Sequence, residues 1–234
     1  MTHPIHVQAH RGSPDPAGGI AENSLEAFAR ARRLLADGVE LDVRLTADRE
    51  LAVHHDPAID GVGPVGGIRA ADLPRGVPLL ADALAACAGM TVNIEVKNLP
   101  NEPGFDPDEQ AARAAADLVE ASGRTGSVIV SSFWSGSLEA VRDRWPAVPT
   151  GLLVVPSFDP RRSISAAAGL GCSAVHLPLG LVGAATVGAA HEAGLAVAVW
   201  TVSDRAGLEL ARSAGVDTVI TDDVLLARTV LGRG

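Results

Sequence analysis

Apolar positions along this chain alternate between two periods. Short β-type runs with every second residue apolar give way to longer stretches with an apolar face at helical spacing, and the pattern repeats to the end. The β-type runs fall at 5–10, 39–45, 91–97, 127–132, 149–155, 174–178, 195–202 and 216–221. Helices are predicted between them with recognisable ends: one opened by Asn23-Ser24 and running to Gly38, one from Asp106-Pro107 to Gly123, one from Ser135 or Ser137 to Pro146, and one from Asp204 to Gly215. Eight β-type runs with helices between them predict an α/β fold, a (β/α)8 TIM barrel, with a doubly wound open sheet as the alternative. No GxGxxG follows the first run, which counts against a dinucleotide fold. Region 46–88 breaks the rhythm. It holds a short extra strand near 51–54, the Gly/Pro-rich segment DGVGPVGGIRA and a helix near 80–88, and reads as a small insertion after the second strand. No repeat or linker divides the chain, so 1–234 is expected to form a single domain.

Composition narrows the function classes. At 234 residues the chain can bury a sizeable core without disulfides or a structural metal. A net charge of −9 with no basic run argues against a nucleic-acid partner. An acidic protein that handles an anion needs local cations or a metal to do so. Cys87 and Cys172 match no metal spacing and are expected to be buried thiols in a reducing compartment. No apolar run approaches the length of a membrane span, and MTHPIHVQAHRG carries no signal-peptide apolar region, so the expected location is cytoplasmic, without a stable membrane anchor. With no Tyr, four Phe and three Trp, the chain has few aromatic platforms for stacked bases, sugars or quaternary ammonium groups. Nothing in the sequence sets an oligomeric state.

The unusual polar residues gather at one end of the predicted strands. His10 and Arg11 end the first, Glu40 and Asp42 lie in the second, Glu95 and Lys97 end the third, Ser131 and Ser132 the fourth. His176 lies near the end of the sixth, Trp200 near the end of the seventh, and Asp222 follows the eighth. In a (β/α)8 barrel the active site lies at that end. Residues i and i+2 of a strand share a face, so Glu40 pairs with Asp42 and Glu95 with Lys97. Three inward carboxylates in a low-dielectric mouth repel one another unless a cation sits among them. Oxygen-only ligands favour Mg²⁺, Ca²⁺ or Mn²⁺ over zinc. The competing arrangement has Glu40 paired with Arg44 and Glu95 with Lys97, with no metal. Arg11 offers a fork suited to phosphate, the Gly12 that follows it permits a sharp turn, and His10 can move protons at neutral pH. A second histidine beside an aspartate, at His54-His55-Asp56, suggests an acid and a base flanking one substrate, and the residues alone do not choose between His54 and His55.

In order along the chain, AHRG (9–12), ENS (22–24), ELD (40–42), HD (55–56), EVK (95–97), VIVSSF (128–133), VAVWTVSD (197–204) and GVDTVITDD (215–223) resemble the glycerophosphodiester phosphodiesterase family over nearly the whole sequence. The resemblance implies a TIM barrel that uses one divalent cation, Mg²⁺ or Ca²⁺ with Mn²⁺ also acceptable, to cleave a small phosphodiester into glycerol 3-phosphate and an alcohol. It implies His10 and His55 as the acid/base pair, Glu40, Asp42 and Glu95 as metal ligands, Arg11 and Lys97 on the phosphate, and Trp200 on the pocket wall. His54 becomes a supporting strand residue, and Glu22 and Asn23 become groups beside the first loop. Three segments depart from the family pattern: ENS stands for ENT, WTVSD for WTVN, and PAIDGVGPVGG replaces a Leu and Arg-Thr-Thr run. Lysophospholipase D and sphingomyelinase D-like enzymes, with a similar site, form the alternative; they need a long apolar groove, and the Gly-rich loop 58–68 is not strongly apolar. A non-catalytic ester-binding barrel would be expected to have lost one of these site residues, and all are present.

Overall fold

The computed structural model describes residues 4–232; the first three and last two residues of the expected 1–234 domain lie outside it. Eight parallel strands form a closed barrel: β1 (His6–Ala9), β2 (Gly38–Leu45), β3 (Thr91–Val96), β4 (Val128–Ser132), β5 (Thr150–Leu153), β6 (Ala174–Pro178), β7 (Ala196–Trp200) and β8 (Thr218–Thr221). Each pairs with the next, and β1 pairs with both β2 and β8, which closes the ring. One helix follows each strand: α1 (Leu25–Arg33), α2 (Leu80–Ala86), α3 (Gln110–Ala121), α4 (Ser135–Arg144), α5 (Pro160–Gly169), α6 (Ala184–Glu192), α7 (Arg205–Ala214) and α8 (Val224–Val230).

The alternation along each strand divides the molecule into two environments. Leu41 and Val43 of β2, Val92 and Ile94 of β3 and Val130 of β4 pack outward in the apolar core. The residues between them, Glu40, Asp42, Asn93, Glu95 and Ser131, are buried and polar, on the opposite, inward face. Ser24, Asp159, Asp204 and Asp223 cap α1, α5, α7 and α8 by accepting backbone N–H bonds, and Gly215 closes α7 in the left-handed conformation. Two helix ends differ from expectation. α1 stops at Arg33 rather than running to Gly38, and Leu35 turns the chain toward β2 with a φ of 59°. α3 begins at Gln110 rather than at Asp106-Pro107. Asp106 accepts N–H bonds from Asp108 and Gln110 and is clasped on its backbone by Asn98, so it builds a loop ahead of the helix.

The insertion after β2 begins with a short strand, Leu51–Val53, antiparallel to the top of β2. It returns the chain to the level of Asp42, whose carbonyl accepts the His54 N–H at 3.0 Å. A small hairpin, Ala58–Ile59 with Gly63–Pro64, follows before α2. Cys87 and Cys172 are buried and unpaired. No helix among the described residues is long and apolar enough to cross a membrane.

His176 of β6 is 2 % exposed, and its ring lies against Gly151 of β5, where a Cβ would come 2.5 Å from Nε2. Burial pushes its pKa down to about 4. The unfolded chain therefore takes up this proton first as pH falls below about 6.5, and the native state loses stability progressively until about pH 4. The loss from this one group reaches about 3 kcal/mol at the lower limit. Urea midpoints measured from pH 7 to pH 4 are expected to fall less steeply for His176→Gln than for the parent chain. Parallel slopes would show that His176 does not carry this acid sensitivity.

Candidate active site

The turn after β1 sets the first side of the site. Arg11 and Gly12 both adopt left-handed backbone, with φ of 51° and 77°. A Cβ at position 12 would lie 2.9 Å from Ala27 and Phe28 of α1, so this close approach requires glycine as much as the dihedral does. The turn aims the Arg11 N–H at Glu40 Oε2, 2.9 Å away, and brings the Arg11 guanidinium to Glu22 Oε1 at 2.8 Å and Asp42 Oδ2 at 3.4 Å. Asn23, also left-handed at 56°, holds Asp42 twice: its amide donates to Oδ2 at 2.9 Å and its carbonyl accepts the Asp42 N–H at 3.2 Å. Ser24, not Asn23, caps the helix.

Asp42 and Glu95 are direct partners in the β2–β3 ladder, and Glu40 lies one inward position below Asp42. Glu40, Asp42 and Glu95 are 3 %, 1 % and 8 % exposed, and each offers an oxygen within 4.8 Å of the others. Lys97 Nζ contacts Glu95 directly and lies 3.1 Å from Asp42 Oδ1. Burial, together with repulsion from Asp42, pushes the Glu40 carboxyl up to about 8. Glu95 rises to about 7, chiefly through burial, with Lys97 opposing the rise and Asp42 adding to it. Burial would raise Asp42 too, but the Lys97 ammonium and the Asn23 hydrogen bond outweigh it and hold this carboxyl below its ordinary range. Two cations, Arg11 and Lys97, thus face four carboxylates once Glu22 is included, and a divalent cation would balance them. Three hard oxygen donors at this spacing fit Mg²⁺, Ca²⁺ or Mn²⁺. Of the competing ion pairs, Glu95–Lys97 forms and Glu40–Arg44 does not. Arg44 instead donates to His55 O at 2.7 Å, Lys97 O at 3.4 Å and Glu102 Oε2 at 2.7 Å, tying the two loops that flank the cluster.

Two histidines flank the same cavity, each braced on Nδ1 by a carboxylate. His10 Nδ1 bonds Asp222 Oδ1 at 2.7 Å, and Ser203 donates to the other Asp222 oxygen at 2.8 Å. His55 Nδ1 bonds Asp56 Oδ1 at 2.6 Å. A carboxylate on Nδ1 sets the tautomer and leaves Nε2 free to exchange a proton. His10 Nε2 lies 3.9 Å from Glu40 Oε2. Burial opposes the charge on His10, but the Asp222 hydrogen bond and Glu40 prevail and raise its pKa. Burial and the nearby Lys97 lower that of His55. The two rings are therefore biased toward opposite protonation states, as an acid and a base acting on one substrate require.

The cavity measures about 250 Å³ and is lined by His10, Arg11, Glu40, His55, Glu95 and Lys97 on one side and by Phe133, Leu153 and Trp200 on the other. His55 lines it; His54, whose Nε2 meets Ala58 O at 3.2 Å, does not. Asp42 does not line the cavity itself; it contacts two residues that do, Arg11 and Lys97. His176 stands apart from this wall, although its carbonyl accepts the Trp200 indole N–H at 3.1 Å. Phe133 and Thr201 on the wall, the Arg44 brace and the double grip of Asn23 were not foreseen from the sequence. For Phe133, the signals were its place directly after the end of β4 and its position at the end of the VIVSSF segment.

A model of the glycerophosphoryl diester phosphodiesterase family matches residues 10–226. A glycerophosphodiester phosphodiesterase of Caldanaerobacter subterraneus is 31% identical over 239 aligned positions, covering 93% of this chain and 93% of its own. Among solved structures, a glycerophosphodiester phosphodiesterase from Parabacteroides distasonis superposes with a TM-score of 0.85 at 23% identity, covering 100% of this chain and 99% of that one. An Oleispira antarctica phosphodiesterase, solved with its product sn-glycerol-3-phosphate, gives 0.83 at 22% identity, covering 97% of this chain and 96% of that one.

Proposed function

The chain belongs to the glycerophosphoryl diester phosphodiesterase family and is a phosphoric diester hydrolase, and from that premise we propose that it hydrolyses glycerophosphodiesters to glycerol 3-phosphate and an alcohol with the help of one divalent cation. The observation that carries this reading is the pairing of two carboxylate-braced histidines on one cavity that is also lined by Glu40 and Glu95, two members of a cluster of three buried carboxylates. Glu40, Asp42 and Glu95 would hold the cation, Mg²⁺, Ca²⁺ or Mn²⁺. When bound, it would polarise a phosphoryl oxygen and offset charge in the transition state. Arg11 and Lys97 orient the phosphate and stabilise the charge that develops on its oxygens. One histidine takes a proton from the attacking water while the other gives a proton to the departing alcohol; the new P–O bond forms as the P–O bond to that alcohol breaks, which leaves glycerol 3-phosphate. The His55 bias toward the neutral form suits the base, and the raised His10 suits the acid. Trp200 forms part of the wall opposite the cations. A cavity at the small end of ligand-site volumes suits a glycerol phosphate group, the product held by the Oleispira antarctica relative.

Incubation with glycerophosphocholine separates this reaction from its near relatives. The expected products are glycerol 3-phosphate and choline. Release of phosphocholine and glycerol would place the cut on the wrong P–O bond, and no hydrolysis of any glycerophosphodiester would sink the reading.

A further inference from the structure

The two histidines are anchored differently. His10 is held by the barrel itself: its N–H donates to Thr221 O at 2.9 Å, and Asp222, just past β8, braces its ring. His55 stands on the insertion, two residues beyond the short strand Leu51–Val53. Its brace, Asp56, is the next residue of the same loop and is 71% exposed. That carboxylate orients the ring, but it moves with the loop and cannot fix the loop in space. The His54 N–H, bonded to Asp42 O at 3.0 Å, sets where the loop leaves the barrel. Arg44, from β2, takes hold of the next residue. Its side chain is 8% exposed, and its Nε–H donates to His55 O at 2.7 Å. From the same planar group, Nη1 donates to Lys97 O at 3.4 Å and Nη2 to Glu102 Oε2 at 2.7 Å. One guanidinium thus spans the loop that carries His55 and the loop that follows β3, and its rigid fork allows little change in their spacing. The Lys97 side chain is fixed independently, by contact with Glu95 and by Asp42 at 3.1 Å. The clamp therefore bears most heavily on His55.

We propose that Arg44 is a positioning residue for catalysis: it holds the His55 backbone where the imidazole meets the substrate at the barrel mouth. What His55 does there rests on the phosphodiesterase reading above; the clamp itself rests on the three bonds of one guanidinium. A displacement of about 1 Å in a proton-transfer group costs about a hundredfold in rate. Substrate binding is spared, because Arg11 and Lys97, the groups proposed to hold the phosphate, keep their own partners. Lysine is a poor replacement at position 44, since an ammonium is a point charge without the planar fork that meets these acceptors together.

Arg44→Met in the full chain keeps the length of the side chain and removes every donor. On glycerophosphocholine it is expected to lose about 100-fold in kcat, with KM changed by less than about threefold. Arg44→Lys is expected to regain less than about tenfold of that loss. A second readout needs no turnover. With isotope-labelled histidine, the ring resonances of His55 are expected to shift or broaden in Arg44→Met, while those of His10, anchored by Thr221 and Asp222, stay in place. A kcat within about threefold of the parent overturns the proposal, and so does a loss that falls on KM instead. A shift of both histidines together also overturns it, because Arg44 would then serve the fold alone. If Arg44→Met does not fold, Glu102→Ala takes its place, freeing the outer end of the guanidinium at a half-buried position. It is expected to cost about threefold to tenfold in kcat with a smaller shift confined to His55. Unchanged kcat and resonances in that variant overturn the proposal. Failure to cleave any diester counts against the phosphodiesterase reading alone and leaves the resonances to judge the clamp.

Discussion

His10→Ala and His55→Ala are each expected to lose roughly a hundred- to ten-thousandfold of turnover on glycerophosphodiesters, the usual contribution of a positioned proton-transfer group. Circular dichroism and urea midpoints stay close to those of the parent chain. Both side chains sit at the rim of the cavity, 23% and 32% exposed, and neither belongs to the apolar core, so their removal creates no large void. The double variant is expected to fall little below the weaker single one, because in the proposed mechanism both histidines serve one transition state and their effects are not additive. Asp222→Asn separates positioning from proton transfer. It leaves His10 in place but removes the carboxylate that sets its tautomer and raises its pKa. The acid limb of the pH–rate profile, which reports loss of the neutral base His55, is then expected to stay where it is. The alkaline limb, which reports loss of the proton from His10, moves to lower pH. A single alanine variant that keeps most of its turnover contradicts the two-histidine assignment.

Glu40→Gln is expected to separate stability from function. With no cation bound, Glu40 is a carboxyl whose pKa is raised to about 8 by burial and by Asp42, against an ordinary value of 4.5. A group raised on folding destabilises the native state at pH values above its unfolded pKa, so near neutrality the metal-free parent bears this cost. Removing the charge is expected to stabilise the metal-free protein by on the order of 2 kcal/mol. The same change replaces one of the three proposed carboxylate ligands by a neutral amide oxygen, a weaker donor to a hard cation. Added Mg²⁺, Ca²⁺ or Mn²⁺ should therefore raise the Tm of the parent, by preferential binding to the native state, and leave that of the variant nearly unmoved, with turnover lost. Thermal melts of both proteins with EDTA and with each cation check both halves. A cation that raises both melting points equally would place its site elsewhere.

Much of this barrel is legible in the sequence because the period of apolar residues is a direct consequence of burial. All eight strands fall within two residues of their apolar runs, and Asp204 and Gly215 mark the ends of α7 through the caps they make. The register of the acidic cluster follows as well, since the two-residue period puts Glu40 and Asp42 on one face before any coordinate is known. What is not legible depends on partners distant along the chain. Arg44 shares the inward register of Asp42, yet it reaches the carbonyls of His55 and Lys97 and the carboxylate of Glu102 instead of Glu40. Asn23 looks like a helix cap, and only its left-handed backbone turns it to grip Asp42. Asp106 has the look of a helix start, but its side chain satisfies N–H groups of the loop before Gln110.

The central claim is that two histidines and a cation held by Glu40, Asp42 and Glu95 act on a single phosphodiester. It is tested most directly by stripping the full chain with EDTA and following glycerol 3-phosphate release from glycerophosphocholine as Mg²⁺, Ca²⁺ and Mn²⁺ are added back singly. Release should cease on chelation and return with at least one of the three at about one ion per chain. Undiminished release in EDTA would contradict the account.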